Sequence, residues 1–509
     1  MRAPAPAEAS ILSPTATAAI LTAVAMLLRV AFVGRQSFWG DEAATAIFAR
    51  MQPRDMLQLL TTHESAMAMY FVLARFWTVL GDDEATLRML SVIFAAATVP
   101  PLYFLARRLA GARVATVATL LFAVNAFAIR YAQEARSYSL WLLLVVASWI
   151  YFLRLVERPV RWNVAGYIAA GTLAVYAHFF AIFSLAAQWL VVFLGDPQRL
   201  RLRPLLVGGF AIAILSAPLL VALRLGDVGQ TAWIEPIKFL TIQQTVYGFS
   251  GSLTGGPVAW LLPAICVGLA GFGMLAMYHS SRGSIEAARN FRFVVLGLAV
   301  PIAGLVVVSL AKPTFVPRYA FESLPFFSIL VAIGLCKARR SVVGASGLAA
   351  IVCLSLYQDY RYYRVYPRDD WRAATAYLLG NSSPGDAAIL FSEVNRWPYE
   401  YYVSRLGSPP RRPTLIYPDW DRQFRIAGAY ALDPRALPAR EAIVMKVIDE
   451  APARFPRIWL VQCADRNPMV GNDVAMDKIL AALSKRYRAI SEKGFFDIQV
   501  TLYERTREP

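Results

Sequence analysis

Charge is scarce in this 509-residue sequence: Asp, Glu, Lys and Arg make up only 17% of it, where a soluble domain carries about 25%. Cysteine is scarcer, with four in all. Cys266, Cys336 and Cys353 lie in or at the ends of apolar segments, and Cys463 lies in the tail. No CxxC occurs, so no disulfide framework can be read, and the four are taken as small buried hydrophobes. Histidine is limited to His63, His178 and His279, with no HExxH and no close ligand spacing. A divalent metal would have to be shared by His63, Glu64 and His178 with the acidic pair described below, which their spacing does not support. The expectation is no metal site and no required cofactor. No GxGxxG follows the first strand of the C-terminal tail, which removes the nucleotide-binding reading. No internal repeat is evident, and the only biased tract is the Ala/Pro-rich first ten residues. The first apolar run is a poor secretory signal, because only Arg2 precedes it and no small-residue cleavage site precedes Asp41.

What the chain has instead is apolar sequence. Hydrophobic residues make up 57% and aromatics 13%, and the mean hydropathy is +0.47. Runs near the roughly 20 residues of a spanning helix recur at 15–34, 87–106, 112–128, 137–154, 162–179, 181–195, 204–223, 257–278, 291–311, 319–336 and 342–357. The expected fold class is a polytopic α-helical membrane protein of eleven spans, residues 1–357, followed by a small extracytoplasmic α/β domain, residues 358–509. A net charge of +17 would suit a nucleic-acid binder, but the Lys and Arg residues fall mostly in short loops between apolar segments. That is the mark of membrane orientation, and no nucleic-acid partner is expected. Arg107, Arg108 and Arg113, then Arg154, Arg158 and Arg161, then Arg199, Arg201 and Arg203, then Arg282, Arg289 and Arg292, and finally Lys337, Arg339 and Arg340 occupy alternate loops. The intervening short loops are poorer in cations. The rule places the N-terminus in the cytoplasm and puts 35–86, 224–256 and everything after 357 outside the plasma (inner) membrane.

Within the outer segments, Pro53–Leu60 and Glu64–Leu80 have helical spacing and read as short helices on the membrane surface or packed on the bundle. The 224–256 loop carries Gly248, Gly251, Gly255 and Gly256 and reads as a mobile lid. In the tail, Asp386–Ser392, Thr414–Tyr417, Arg457–Gln462 and Phe496–Tyr503 read as strands. Trp371–Leu379, Glu400–Leu406, Glu441–Ile448 and Met476–Arg488 read as helices between them. The alternation points to a largely parallel sheet.

The costly polar groups gather on the expected outer side. Asp41-Glu42 follows the first span in the string Ser37-Phe38-Trp39-Gly40-Asp41-Glu42-Ala43. Carboxylates beside hydrocarbon are usually functional. Transfer of a sugar to a hydroxyl or amine needs a base at the acceptor proton and cations at a leaving phosphate. Arg130-Tyr131-Ala132-Gln133-Glu134-Ala135-Arg136-Ser137-Tyr138 bridges the third and fourth spans with two forked donors suited to phosphate. Glu134 would pair with Arg136 or Arg130; a snorkelling interfacial cap is the plainer alternative. Lys312 and Arg318, with Tyr319, stand before the tenth span, either as phosphate ligands or as interfacial anchors. His63 with Tyr70 in the first outer segment, and His178 at the outer end of the fifth span, complete the set.

In this order, Asp41-Glu42, His63 to Tyr70, Tyr131-Ala132-Gln133-Glu134-Ala135-Arg136-Ser137-Tyr138, Tyr176-Ala177-His178 and Pro317-Arg318-Tyr319 resemble bacterial GT-C glycosyltransferases of the protein O-mannosyltransferase and aminoarabinose transferase superfamily. The resemblance covers about 15–357. The usual pattern has a proline shortly after the histidine, and Glu64-Ser65-Ala66-Met67 stand here instead. The resemblance implies transfer of a hexose-type sugar from a polyprenyl-phosphate sugar to an envelope lipid, polysaccharide or protein, with inversion. It implies Asp41 as general base, Glu42 as its support, and Arg130, Arg136 and Arg318 on the lipid phosphate. Phe38, Trp39, Tyr131 and Tyr138 would stack on sugar or prenyl chain, and His63, Tyr70 and His178 would contact sugar or acceptor. A transporter or flippase of lipid-linked sugars is the competing reading, but it would hold its ionisable groups near the midplane of broken, repeated helices. A membrane scaffold is the third.

Overall fold

The computed structural model describes residues 12–62, 64–195, 202–225, 234–253, 255–256, 259–338, 342–365, 368–391, 395–406, 413–415, 437–463 and 476–506. All eleven apolar segments expected to span are helical within these limits. They are α1 (Pro14–Val30), α5 and α6 (Glu84–Ala97 and Val99–Ala110), and the pair α7 (Ala112–Ala123) and α8 (Ala126–Ala132). Then come α9 (Tyr138–Glu157), α10 (Arg161–Ala177), α11 (Ala181–Phe193), α12 (Leu202–Leu225), α14 (Leu261–Ser281), α15 (Ile285–Ala311), α16 (Leu324–Ala338) and α17 (Val342–Val365). Among the described residues six helices are long and apolar enough to cross a membrane, or seven if the bent pair α7–α8 counts as one. The remaining apolar helices are shorter or more polar. The expected count of eleven therefore stands above what length and composition carry.

Burial sorts these helices. The helix formed by a 3-10 turn from Pro317 and α16 is 89% buried along its apolar stretch, whereas α12, α14 and α15 are only 28% buried. The first is the axis of the bundle; the others turn Phe210, Leu275, Val307 and Leu310 outward. Large apolar groups exposed on long helices are what a bilayer covers. Gly273 on α14 and Gly334 on α16 let two backbones meet, since a Cβ at either would lie 2.1–2.2 Å from a carbonyl of the facing helix.

The α7–α8 junction bends by 59°. Asn125 starts α8 by accepting from Ala128 N at 3.0 Å, and its Nδ2 donates to Phe249 O at 2.9 Å. The carbonyls released at the end of α7 are met by Arg29, which is fully buried in α1 and donates to Ala123 O at 2.9 Å and Phe122 O at 3.3 Å. A buried cation is thus placed where a helix C-terminus needs donors.

Outside the long helices, α2 (Gly40–Arg50), α3 (Pro53–Thr62) and α4 (Ala68–Trp77) form a layer at one end of the bundle. The 53–60 and 64–80 helices agree with the sequence reading; α2 is a further helix of the 35–86 segment that the reading did not include. The 224–256 segment read as a lid contains α13 (Phe239–Phe249), anchored through Phe249 to Asn125.

The C-terminal segment begins inside α17, which runs through the expected 357/358 boundary to Val365. It continues as α18 (Trp371–Asn381), β1 (Ala387–Phe391), α19 (Arg396–Arg405), β2 (Thr414–Leu415), α20 (Leu437–Arg454), β3 (Arg457–Cys463), α21 (Met476–Ser484), β4 (Tyr487–Phe495) and β5 (Ile498–Arg505). The sheet order is β2-β1-β3-β5-β4. β1 lies parallel to β2 and β3, while β5 is antiparallel to β3 and β4. The sheet is mixed rather than largely parallel, because β4 and β5 form a two-residue hairpin where a helix had been expected to extend to Arg488.

Candidate active site

Glu42 and Asp41 share the first turn of α2 but face different surroundings. Glu42 is fully buried. Arg88 of α5 grips both its oxygens, Nε to Oε1 at 2.8 Å and Nη2 to Oε2 at 2.7 Å. Arg368 adds a 2.6 Å bond to Oε2, and the Ala135 amide donates to Oε1 at 2.9 Å. Burial alone would raise this carboxyl, but Arg368 and Arg88 overcome it and hold it down at about 2. Both oxygens of Glu42 are committed to these hydrogen bonds.

Asp41 keeps 19% of its side chain exposed and lies 3.5 Å from Arg136 Nη2. Arg136 is delivered by the 133–137 turn, which is pinned from several sides. The Ala135 amide binds Glu42. Ser91 Oγ donates to Arg136 O at 3.2 Å and is itself 2.7 Å from Tyr70 Oη. Ser137 Oγ donates to Ala177 O. Phe71 lies under the Arg136 guanidinium at 5.8 Å. Asp41, Arg136 and Arg318 all lie within electrostatic reach of the Tyr138 hydroxyl, and Asp41 within reach of Arg318. Glu64 belongs to the same group. Burial lifts its carboxyl to about 7; Arg136 pulls it down and Asp41 pushes it up.

Aromatic rings floor the site. Tyr131 and Tyr138 meet edge-on at 5.0 Å, and Tyr131 also packs on Phe127 and Phe321. His178 stacks on Trp141 at 4.4 Å and lies near Tyr138 and Tyr319. Its Nδ1 accepts from the Phe180 amide at 3.3 Å.

The nine-residue string from 130 to 138 therefore divides its work. Arg136, Tyr131 and Tyr138 join Asp41. Glu134 pairs with Arg130 at 3.4 Å, one of the two pairings expected, and lies 3.6 Å from Arg368 Nη2. Arg318 joins the cluster, and Lys312 stands half-buried at the C-cap of α15. Two expectations change. Tyr70 is 1% exposed with its hydroxyl on Ser91, so it braces Arg136 instead of meeting a sugar. Phe38 is fully buried between Tyr401, at 5.0 Å, and Arg88. His63 lies outside the described residues. Among the described residues no three His, Cys, Asp or Glu side chains gather to hold a metal. Arg88 and Arg368 were missed, although an arginine inside the apolar 87–106 run is itself a signal of a buried partner.

The family profile described as dolichyl-phosphate-mannose-protein mannosyltransferase matches residues 64–221. No curated protein matches the sequence. Solved structures do match. ArnT from Cupriavidus metallidurans in the apo state aligns with a TM-score of 0.59 at 13% identity, over 96% of this chain and 98% of that one. The same protein bound to undecaprenyl phosphate aligns at 0.57, 12% identity, with equal coverage. The archaeal oligosaccharyltransferase AglB from Archaeoglobus fulgidus, in complex with an inhibitory peptide and a dolichol-phosphate, aligns at 0.50 with 12% identity over 96% and 74%. The chain is therefore similar in fold to these lipid-phosphate-binding glycosyltransferase structures, and over 64–221 it matches the mannosyltransferase profile.

Proposed function

We propose that the protein is an integral-membrane glycosyltransferase that moves a hexose-type sugar from a polyprenyl-phosphate sugar to a hydroxyl or amine of an envelope acceptor, with inversion. The observation that carries this reading is the pairing of a partly exposed Asp41 with Arg136 in a cluster that also holds Arg318. Asp41 takes the acceptor proton while the acceptor oxygen or nitrogen bonds to the anomeric carbon. The bond from that carbon to the phosphate breaks, and its electron pair leaves on the lipid phosphate. Arg136 and Arg318 neutralise that charge, with Arg130 and Lys312 at the rim. Tyr131 and Tyr138 offer rings and hydroxyls to the sugar. The donor arrives activated, so the reaction needs no cofactor. The alternation of basic loops supports an orientation with this end of the bundle and the C-terminal sheet outside the plasma membrane and the N-terminus in the cytoplasm.

The test is transfer of label from a radiolabelled polyprenyl-phosphate hexose to an envelope fraction, with purified wild type against Asp41→Asn. Transfer that requires Asp41 supports the reading. Lipid binding without transfer from any of several sugar donors, and indifferent to Asp41→Asn, would favour a flippase.

A further inference from the structure

At the other end of the bundle lies a cavity of about 830 Å³. It is remote from Asp41. The helix that begins at Pro317-Arg318 ends beside the cavity at Lys337, and its 22 residues carry the chain roughly 33 Å, the thickness of a bilayer core. Three of the basic loops converge here. Arg113, His279 and Lys337 line the cavity, and among the described residues lining it there is no carboxylate.

That absence is local. Immediately alongside, cations are matched by acids: Arg108 bonds Glu157 at 2.7 Å and Glu286 at 2.8 Å, and Arg289 lies 3.1 Å from Glu157. The lining itself contributes the basic side chains of Arg113 and Lys337. The start of α7 adds to it. Gly111, at φ +88°, is the N-cap and supplies no side-chain cap, and Gly111, Ala112 and Val114 all line the cavity. First-turn amides at a 12-residue helix favour an anion. The α14 wall adds the apolar side chains of Phe272, Ala276 and Met277. Phe272 lines the cavity and is 47% exposed, continuous with outward-facing Val267 and Leu275 on α14. A free anion would gain nothing from that stripe, whereas an acyl chain would.

We propose that this cavity binds an anionic phospholipid of the inner leaflet. Arg113, Lys337 and the α7 amides hold its phosphate, and α14 carries its acyl chain. Basic pockets between helices at this depth recognise such headgroups. The site is separate from the proposed donor site, and its test does not depend on sugar transfer.

The experiment measures binding of a fluorescently labelled phosphatidylglycerol to the full-length protein in neutral detergent, with phosphatidylcholine and inorganic phosphate as competitors. Loss of two charges at about 1 kcal/mol each predicts that Arg113→Gln/Lys337→Gln binds about 30-fold more weakly. Arg113→Lys/Lys337→Arg should bind within a few-fold of wild type. Ala276→Trp, which fills the cavity without altering charge, should reproduce the loss, so a folding defect in one variant does not decide the matter. Unchanged affinity in both loss variants would overturn the proposal. So would phosphatidylcholine competing as well as phosphatidylglycerol. Competition by millimolar phosphate at full strength would make it an anion site instead. Loss of binding in Arg136→Gln/Arg318→Gln alone would place the lipid in the donor site.

Discussion

Arg368 and Glu42, 326 residues apart in sequence, are joined by a 2.6 Å bond between the guanidinium and Oε2. This one contact ties the segment after the last long helix to the first turn of α2, where Asp41 sits. Arg88, on the other side of the same carboxylate, brings in the α5 helix. Two elements distant in sequence thus fix the direction of a single helical turn.

Removing the carboxylate should therefore act on the fold. Glu42→Gln leaves two buried guanidinium groups facing an amide, and breaking a buried pair costs about 3–5 kcal/mol. We expect a marked fall in Tm for Glu42→Gln in detergent. A variant as stable as wild type would remove Glu42 from this role.

Asp41→Asn should behave in the opposite way. The residue is part-exposed and its Arg136 contact is a long one, so stability should shift by no more than about 0.5 kcal/mol. Loss of a general base should lower kcat by about 10²–10⁴. Parallel Tm and transfer measurements on the two neighbouring variants separate the roles; equal loss of Tm in both would show that the acidic pair is one structural unit.

How far these roles were legible follows from the distances involved. Asp41 announced itself because a carboxylate beside a spanning segment has few bland explanations. The bundle was legible because apolar runs of spanning length need no partner to be recognised. Glu42 was not legible as a hub, since its partners lie 46 and 326 positions away, and a tertiary ion pair leaves no local period. Tyr70 looked available because an aromatic near a membrane mouth reads the same whether its hydroxyl faces a cleft or Ser91. β4 was read partly as helix because YRAISEKGF is an edge strand paired only with β5 and mostly exposed, so the alternation that marks a half-buried strand is weak.

Stability should depend on pH through two carboxyls of opposite shift. Glu42 is held near 2 in the fold against an ordinary 4.5. Its contribution, on the order of 3 kcal/mol, is present above pH 4.5 and lost as pH falls toward 2. Glu64 is raised from 4.5 to about 7. The folded state keeps that proton when the unfolded chain has released it, so stability is full below 4.5 and declines as pH rises to 7. Glu64→Gln should flatten Tm between pH 4.5 and 7 and leave the acid limb intact. A decline that persists in Glu64→Gln would assign it to another group.

The last prediction concerns the hold of the C-terminal segment on the site. Tyr402 of α19 donates to Glu84 Oε1 at 2.5 Å and accepts from the Phe38 amide at 2.7 Å. Arg372 of α18 binds the same Glu84 oxygen at 2.7 Å. Phe38 stands three residues before Asp41, so the phenol fixes the entry of the chain into α2. In Tyr402→Phe the Phe38 amide and one bond to Glu84 go unmet inside the protein, a cost of about 1–3 kcal/mol. The Glu84–Arg372 pair remains, so folding should survive. If α19 positions Asp41, transfer should fall by about tenfold, well short of Asp41→Asn, because a displaced base still carries its charge. A Tyr402→Phe protein with lowered Tm but unchanged kinetics would mean that the C-terminal segment holds the bundle together without aiming its base.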